Sequence, residues 1–269
     1  MTDELRLPEP PDLTATVFEA VEEKAGLPGS SQMILGTLAG VYIGFGGLFA
    51  LVALAGAEAL PWGVGQLMAG LVFALGLALV LIGGAELFTG NALMAGPVVA
   101  RRLPLATAGK ALCIVYVANF LGSLLLAFLV LASGAHEAGN GAVARAATEM
   151  GASKTEKGLL ATFASGILAN MLVCLAVWLA YAGKTVIDRF FGLLLPIAAF
   201  VAAGLEHSVA NMFLLPYALL VQGSSGEAAA AVTLTGIAAN LVPATLGNLV
   251  GGAAVALAYG HVHVKRAAS

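Results

Sequence analysis

The chain has 269 residues, of which 60% are hydrophobic and only 10% charged, with a mean hydropathy of +0.96. Soluble domains carry about a quarter charged residues, so this composition describes a polytopic membrane protein and excludes an ordinary soluble enzyme. A net charge of −3 without any basic stripe excludes a nucleic-acid partner.

The chain opens with acidic residues where a signal peptide needs an uncharged apolar run, so no cleaved targeting segment is expected. Beyond a Pro-rich start, Leu13, Val17, Val21 and Ala25 recur every fourth residue. That spacing predicts an amphipathic helix lying at the membrane surface or against a neighbour, within a cytoplasmic segment 1–30. Six apolar stretches then reach the length needed to cross about 30 Å of hydrocarbon. They are residues 33–56, 63–84 with a continuation to 100, 105–133, 158–182, 186–203 with a continuation to 221, and 232–260. Together they predict a channel-like domain over 31–260 and a cytoplasmic tail over 261–269.

The connecting segments set the orientation. Arg6, Lys24, Arg101, Arg102, Lys110, Lys184, Arg189, Lys265 and Arg266 lie on one set, and only Arg145, Lys154 and Lys157 on the other. Nine cations against three, alternating with each crossing, place both termini in the cytoplasm by the positive-inside rule.

Two stretches interrupt the apolar pattern. GAELFTGN at 84–91 and GLEHSVAN at 204–211 share G-x-E-x-x-x-x-N, 120 positions apart. Segments three and six correspond as well, through Asn119-x-x-Gly122 and Asn248-x-x-Gly251. Three spans followed by three spans have opposite orientations, so a duplication would be an inverted one. Thirty-four glycines, many at helical spacing in segments one, two and six, suit close helix approach within or between protomers. Cys113 and Cys174 both fall in apolar runs and read as small buried hydrophobes, neither disulfide nor metal pair.

An ionisable residue inside a membrane segment is costly and marks a functional site, and a broken helix exposes backbone that must face protein or water. Glu86 with Asn91, and Glu206 with Asn211, read as structural support of the two breaks, Glu206 meeting backbone donors of its turn. His207, beside Glu206, points another way and faces a polar path. Phe73, Leu77, Leu87, Phe88 and Phe200 flank the breaks, either as constrictions or as plain packing.

GAELFTGN, GILANMLVCLAVWLA and GLEHSVANMFLLP together resemble signature stretches of the formate/nitrite transporter family. The resemblance covers nearly the whole chain and implies an all-α, aquaporin-like membrane protein of six transmembrane helices, an inverted repeat of three, with the second and fifth broken. It implies a homopentamer in the cell inner membrane with one pore per protomer. The cargo it implies is small monovalent anions such as formate, nitrite, hydrosulfide, acetate or lactate, moving passively or with protons; formate is the first expectation. Carried over by residue, His207 is the central pore histidine, Thr89 hydrogen-bonds it, and Asn170 makes a second contact to its side chain. Lys154 draws anions into the outer mouth. Phe73 and Phe200 form the outer constriction; Leu77, Leu87, Phe88 and Val173 the inner one. The Asn-Pro-Ala boxes of aquaporins are missing, which disfavours water or glycerol.

A bare anion in a low-dielectric constriction is prohibitively costly, and histidine exchanges protons near neutral pH. The expectation is that an anion enters past Lys154, is paired or protonated near His207, and crosses two apolar rings neutralised. Thr89 would fix the imidazole tautomer or release it as the loop moves. An intramembrane enzyme is the distant alternative, since Glu206, His207 and Ser208 superficially resemble hydrolytic chemistry; adjacent residues cannot form such a relay, and no G-x-S-x-G elbow exists. Two loop carboxylates and one histidine are too few ligands for a metal transporter, so neither metal nor cofactor is expected.

Overall fold

The computed structural model describes residues 6–225 and 232–264. Lys265, Arg266, most of the predicted tail and part of the last loop lie outside those residues. The described residues are almost entirely helical and contain no strand. The order is α1 (Pro10–Gly26), α2 (Gly29–Leu54), α3 (Trp62–Gly83), the short α4 (Phe88–Asn91) and α5 (Ala95–Val99), then α6 (Leu105–Ala132). There follow α7 (Ala138–Glu156), α8 (Leu159–Ala182), α9 (Val186–Ala202), α10 (Ser208–Ser225) and α11 (Leu234–Tyr259), the last extended by a π-helical turn, Gly260–Val264.

Five of these, α2, α3, α6, α8 and α11, are long and apolar enough to cross a membrane, and α10 is a shorter apolar helix. Leu67, Leu121, Leu168 and Leu246 are among the large apolar side chains they leave exposed, a surface suited to lipid or another protomer. Local signals start several of them. Prolines 28, 61 and 104 immediately precede α2, α3 and α6, where a missing N–H costs nothing. Helix α9 begins with a reciprocal capping box between Thr185 and Asp188.

Two helix pairs form the scaffold, α2 with α6 and α8 with α11. Each is drawn together by a glycine of the corresponding Asn-x-x-Gly motif. A Cβ on Gly122 would strike the carbonyl of Thr37, and one on Gly251 the carbonyl of Ile167. The backbones touch because nothing stands between them.

Two sequence expectations need correction. The connection between the third and fourth stretches is helix α7 rather than a loop; Gly139, Asn140 and Gly141, all at positive φ, disguise its start. Cys174 is buried, but Cys113 is exposed on α6. Helix α1 packs against neighbours: Val17, Phe18 and Val21 are buried, and the Phe18 ring lies where a Cβ on Gly96 or Gly260 would be. Arg102 clamps Glu22 of α1 at 2.7 and 3.0 Å.

Candidate functional site

Both G-x-E-x-x-x-x-N stretches leave the helix at their first glycine. Gly84 and Gly204 have φ of 74° and 63°, a left-handed conformation that ends α3 and α9 and that a Cβ would penalise. The next residue folds back identically in both: Ala85 N–H bonds Val80 C=O at 2.9 Å, and Leu205 N–H bonds Phe200 C=O at 3.1 Å.

The backbone freed by each break is met by a buried asparagine. Asn119 donates through Nδ2 to the carbonyls of Gly36 and Glu86, both at 2.8 Å, and accepts the Phe88 N–H at 2.9 Å. Asn248 donates to the carbonyls of Gly166 and Glu206 at 2.8 and 2.9 Å and accepts the Ser208 N–H at 2.8 Å. These two side chains were legible only as halves of a repeated motif. Their role was hidden because their partners lie more than thirty residues away.

The carboxylates are paired inside the protein. Glu86 is bound by Lys24 of α1 at 3.1 Å and Asn91 at 2.9 Å. Glu206 is fully buried and receives four donors: Lys154 at 3.0 Å, Lys157 at 2.7 Å, Asn211 at 2.7 Å and Asn240 at 3.2 Å. The expectation that backbone donors meet the Glu206 carboxylate is therefore corrected. Its N–H goes to Ser165 Oγ, and its oxygens go to lysines and asparagines, because a buried charge needs a counter-charge as well as hydrogen bonds. Lys24, Lys157 and Asn240 were not singled out from sequence as partners of the carboxylates; each lies more than thirty residues from the one it serves.

His207 meets Thr89, its Nε2 lying 2.9 Å from the threonine hydroxyl oxygen. Its Nδ1 accepts the N–H of Ala210 at 3.1 Å. A nitrogen that accepts a hydrogen bond carries no proton, so the ring is the Nε2–H tautomer and donates to Thr89. The threonine's own hydrogen is left free to point elsewhere. Asn170 directs its hydrogen bonds away from the imidazole expected to receive one. Its Nδ2 donates to the carbonyls of Thr89 at 3.1 Å and Asn248 at 2.6 Å, so it positions the threonine from behind.

A cavity of about 530 Å³ has His207, Lys154, Lys157, Phe73 and Phe200 in its lining, while Thr89 and Asn170 stand behind it. The Phe73 and Phe200 rings meet edge to face, 5.5 Å between centroids, and Phe200 lies 5.6 Å from the His207 ring. A much smaller cavity of about 20 Å³ is lined by Leu77, Leu87, Asn91 and, from α1, Val21 and Lys24. It has room for about one water. Phe88 and Val173 line neither cavity: Phe88 packs edge-on to Tyr116 at 4.8 Å, and Val173 is buried in the core. No cluster of metal ligands exists among the described residues.

The formate/nitrite transporter family model matches residues 11–261. The formate channel FocA of Escherichia coli K12 is 34% identical over 257 residues, covering 89% of this chain and 90% of that protein. A probable formate transporter of Methanothermobacter thermautotrophicus is 38% identical over 278 residues, covering 94% and 96%. Among solved structures, a pentameric formate channel with formate bound superposes with a TM-score of 0.79 at 32% identity, covering 88% of this chain and 98% of that one. With a family model over most of its length, and relatives and structures of the same kind matched end to end, the chain belongs to the formate/nitrite transporter family.

Proposed function

We propose that this protein carries formate, or a similarly small weak-acid anion, across the cytoplasmic membrane as a homopentamer with one path per protomer. The observation that carries the reading is the Thr89–His207 pair, whose histidine lines the same cavity as Lys154 and Lys157. Similarity to formate channels, one of them a formate-bound pentamer, supports the cargo and the assembly. Nitrite and hydrosulfide share formate's size and charge and are the second reading. Helices α9 and α10 together make the sixth crossing beside the five long apolar helices, broken at 204–207 as α3 is at 84–87. The Asn119 and Asn248 sites, built alike on halves of opposite orientation, support an inverted repeat. The cation asymmetry supports cytoplasmic termini, with the larger cavity outside and α1 inside.

In this reading an anion is gathered by the net positive floor at Lys154 and Lys157. At the next layer, His207 Nε2–H polarises the Thr89 hydroxyl, whose hydrogen is donated to the anion. The ring acts as a hydrogen-bond donor and not as the acid, because adding a proton at Nδ1 would break its bond to Ala210. The proton that neutralises the cargo therefore comes from water in the outer cavity. The neutral species crosses Leu77 and Leu87, and the inner side opens when Val21 and Lys24 of α1 move aside.

The test is formate flux in proteoliposomes across a range of pH, normalised to folded protein. His207→Phe should lower flux at neutral pH about tenfold, the worth of one good hydrogen bond to an anion, and move the profile toward acid, where preformed formic acid enters unaided. Superimposable profiles for parent and variant would overturn the role given to this layer.

A further inference from the structure

The outer cavity is far larger than the anion proposed to cross it. Formate has three heavy atoms and displaces on the order of 100 Å³, about three waters' share of liquid volume. The cavity holds about 530 Å³. Mostly apolar hollows of about 300–1,000 Å³ with a few converging polar groups are the kind that enclose a small organic molecule.

Its walls fit that description. Leu54, Trp62, Met150, Val201 and Leu214 supply apolar surface. At the floor stand two ammonium groups, on side chains 13% and 28% exposed, against one carboxylate. Each ammonium has three N–H donors. Lys154 directs one to Glu206; Lys157 directs one to Glu206 and one to the Gly204 carbonyl. Three N–H groups and one unit of positive charge are thus left at the floor by the described residues. Phe73 and Phe200 also line the cavity, and their edge-to-face rings, 5.5 Å between centroids, leave no gap between them as wide as an aromatic ring. The rim has the opposite sign: exposed Glu58 and Glu149 line the mouth. A second negative charge on the ligand would have to lie against apolar wall or against those glutamates, both unfavourable.

The geometry points to a binding site in the outer cavity for monoanions that carry an apolar body, with the anionic head on Lys154 and Lys157 and the body against Trp62, Leu54 and Leu214. Such a molecule occupies the floor and cannot follow formate past the phenylalanines, so it blocks the path from outside. That it blocks rests on the transport reading above; that it binds does not.

Benzenesulfonate is a suitable probe, because it stays charged and does not cross lipid as a neutral acid. Binding is read from the fluorescence of Trp62, with Trp62→Phe protein as the blank, and block is read from formate entry into right-side-out membrane vesicles. A saturable fluorescence change is expected, together with slowed formate entry when the probe is outside and none when it is loaded inside. Neutral benzenesulfonamide and doubly charged 1,3-benzenedisulfonate should each need about tenfold more to act, one ion pair's worth of affinity lost or opposed. Lys157→Gln should weaken the probe by about tenfold on the same ground. Ala57→Phe, in a surface 3-10 turn at the cavity wall, should weaken it by filling the space without touching the lysines. Equal potency of the neutral sulfonamide, or no saturable change in protein that passes formate, overturns the site. A saturable change in protein that passes no formate would leave the site standing and overturn the transport reading instead.

Discussion

The loops at Glu86 and Glu206 share one frame and differ in what fills it. Both leave the helix at a left-handed glycine, both hand their freed backbone to a buried asparagine from another helix, and both tie a glutamate to an asparagine five residues on. The fillings diverge at equivalent positions. Where the second loop has His207, the first has Leu87; where the first has Thr89, the second has Val209. Gly166 and Gly36 offer equivalent carbonyls to Asn248 and Asn119, yet four residues on, one half has Asn170 and the other Gly40. A Cβ at Gly40 would collide with the Asn119 carbonyl, whereas the equivalent carbonyl in the other half, that of Asn248, accepts a hydrogen bond from the Asn170 side chain. The frame solves a problem common to both halves, satisfying broken backbone in apolar surroundings. The filling solves a problem that arises once: the polar layer takes one side chain from each loop, and those two are not counterparts.

The carboxylates sharpen the comparison most. Glu206 is fully buried and offsets two lysines, Lys154 only 13% exposed, so Glu206→Gln should cost about 3–5 kcal/mol, the usual penalty for stranding buried charge. Glu86→Gln frees a single lysine that is 22% exposed and can turn to solvent, and should cost only about 1–2 kcal/mol. Thermal unfolding of the detergent-solubilised protein measures both, and equal losses would break the distinction. Next in size, Asn119→Ala and Asn248→Ala should each cost about 2–3 kcal/mol, by leaving buried backbone groups unpartnered. Here the two halves should agree, and a large inequality would show that the frame is not equivalent. The smallest effect is kinetic. Lys154→Ala should slow uptake of dilute formate about threefold at low ionic strength and less at high, since part of its charge is already committed to Glu206. Lys24→Ala, absent from the lining of the larger cavity, should leave uptake at low substrate within about twofold of the parent. Salt-insensitive loss in Lys154→Ala would assign that residue to Glu206 alone.

Much of this was legible along the chain. The apolar stretches matched helices α2, α3, α6, α8 and α11 closely, because a run of apolar residues long enough for a bilayer needs no partner to be recognised. The two interrupted motifs fall where α3 and α9 end, and the Thr89–His207 contact was expected from the family resemblance and is present at 2.9 Å. Helix α7 was missed because its composition is mixed and its first turn carries two glycines and an asparagine at positive φ. Asn170 was assigned to the histidine by the family resemblance rather than to the Thr89 backbone, since a matched motif brings a polar group to the site but does not say which of two adjacent acceptors it finds.

The sequence by itself determined the membrane class, the family, the paired breaks and their glycines, because hydropathy, length and a left-handed turn are properties of short segments. Only the tertiary structure decided the partners of each charge. Lys24, Lys154 and Lys157 were all present as loop cations, yet which carboxylate each would meet, and that Glu206 would hold two while Glu86 held one, depended on how α1 and α7 fold back over the breaks. The same is true of the histidine's tautomer. It follows from the Ala210 N–H and the Thr89 hydroxyl arriving on opposite sides of one ring, a coincidence of two loops 118 residues apart that no local pattern encodes.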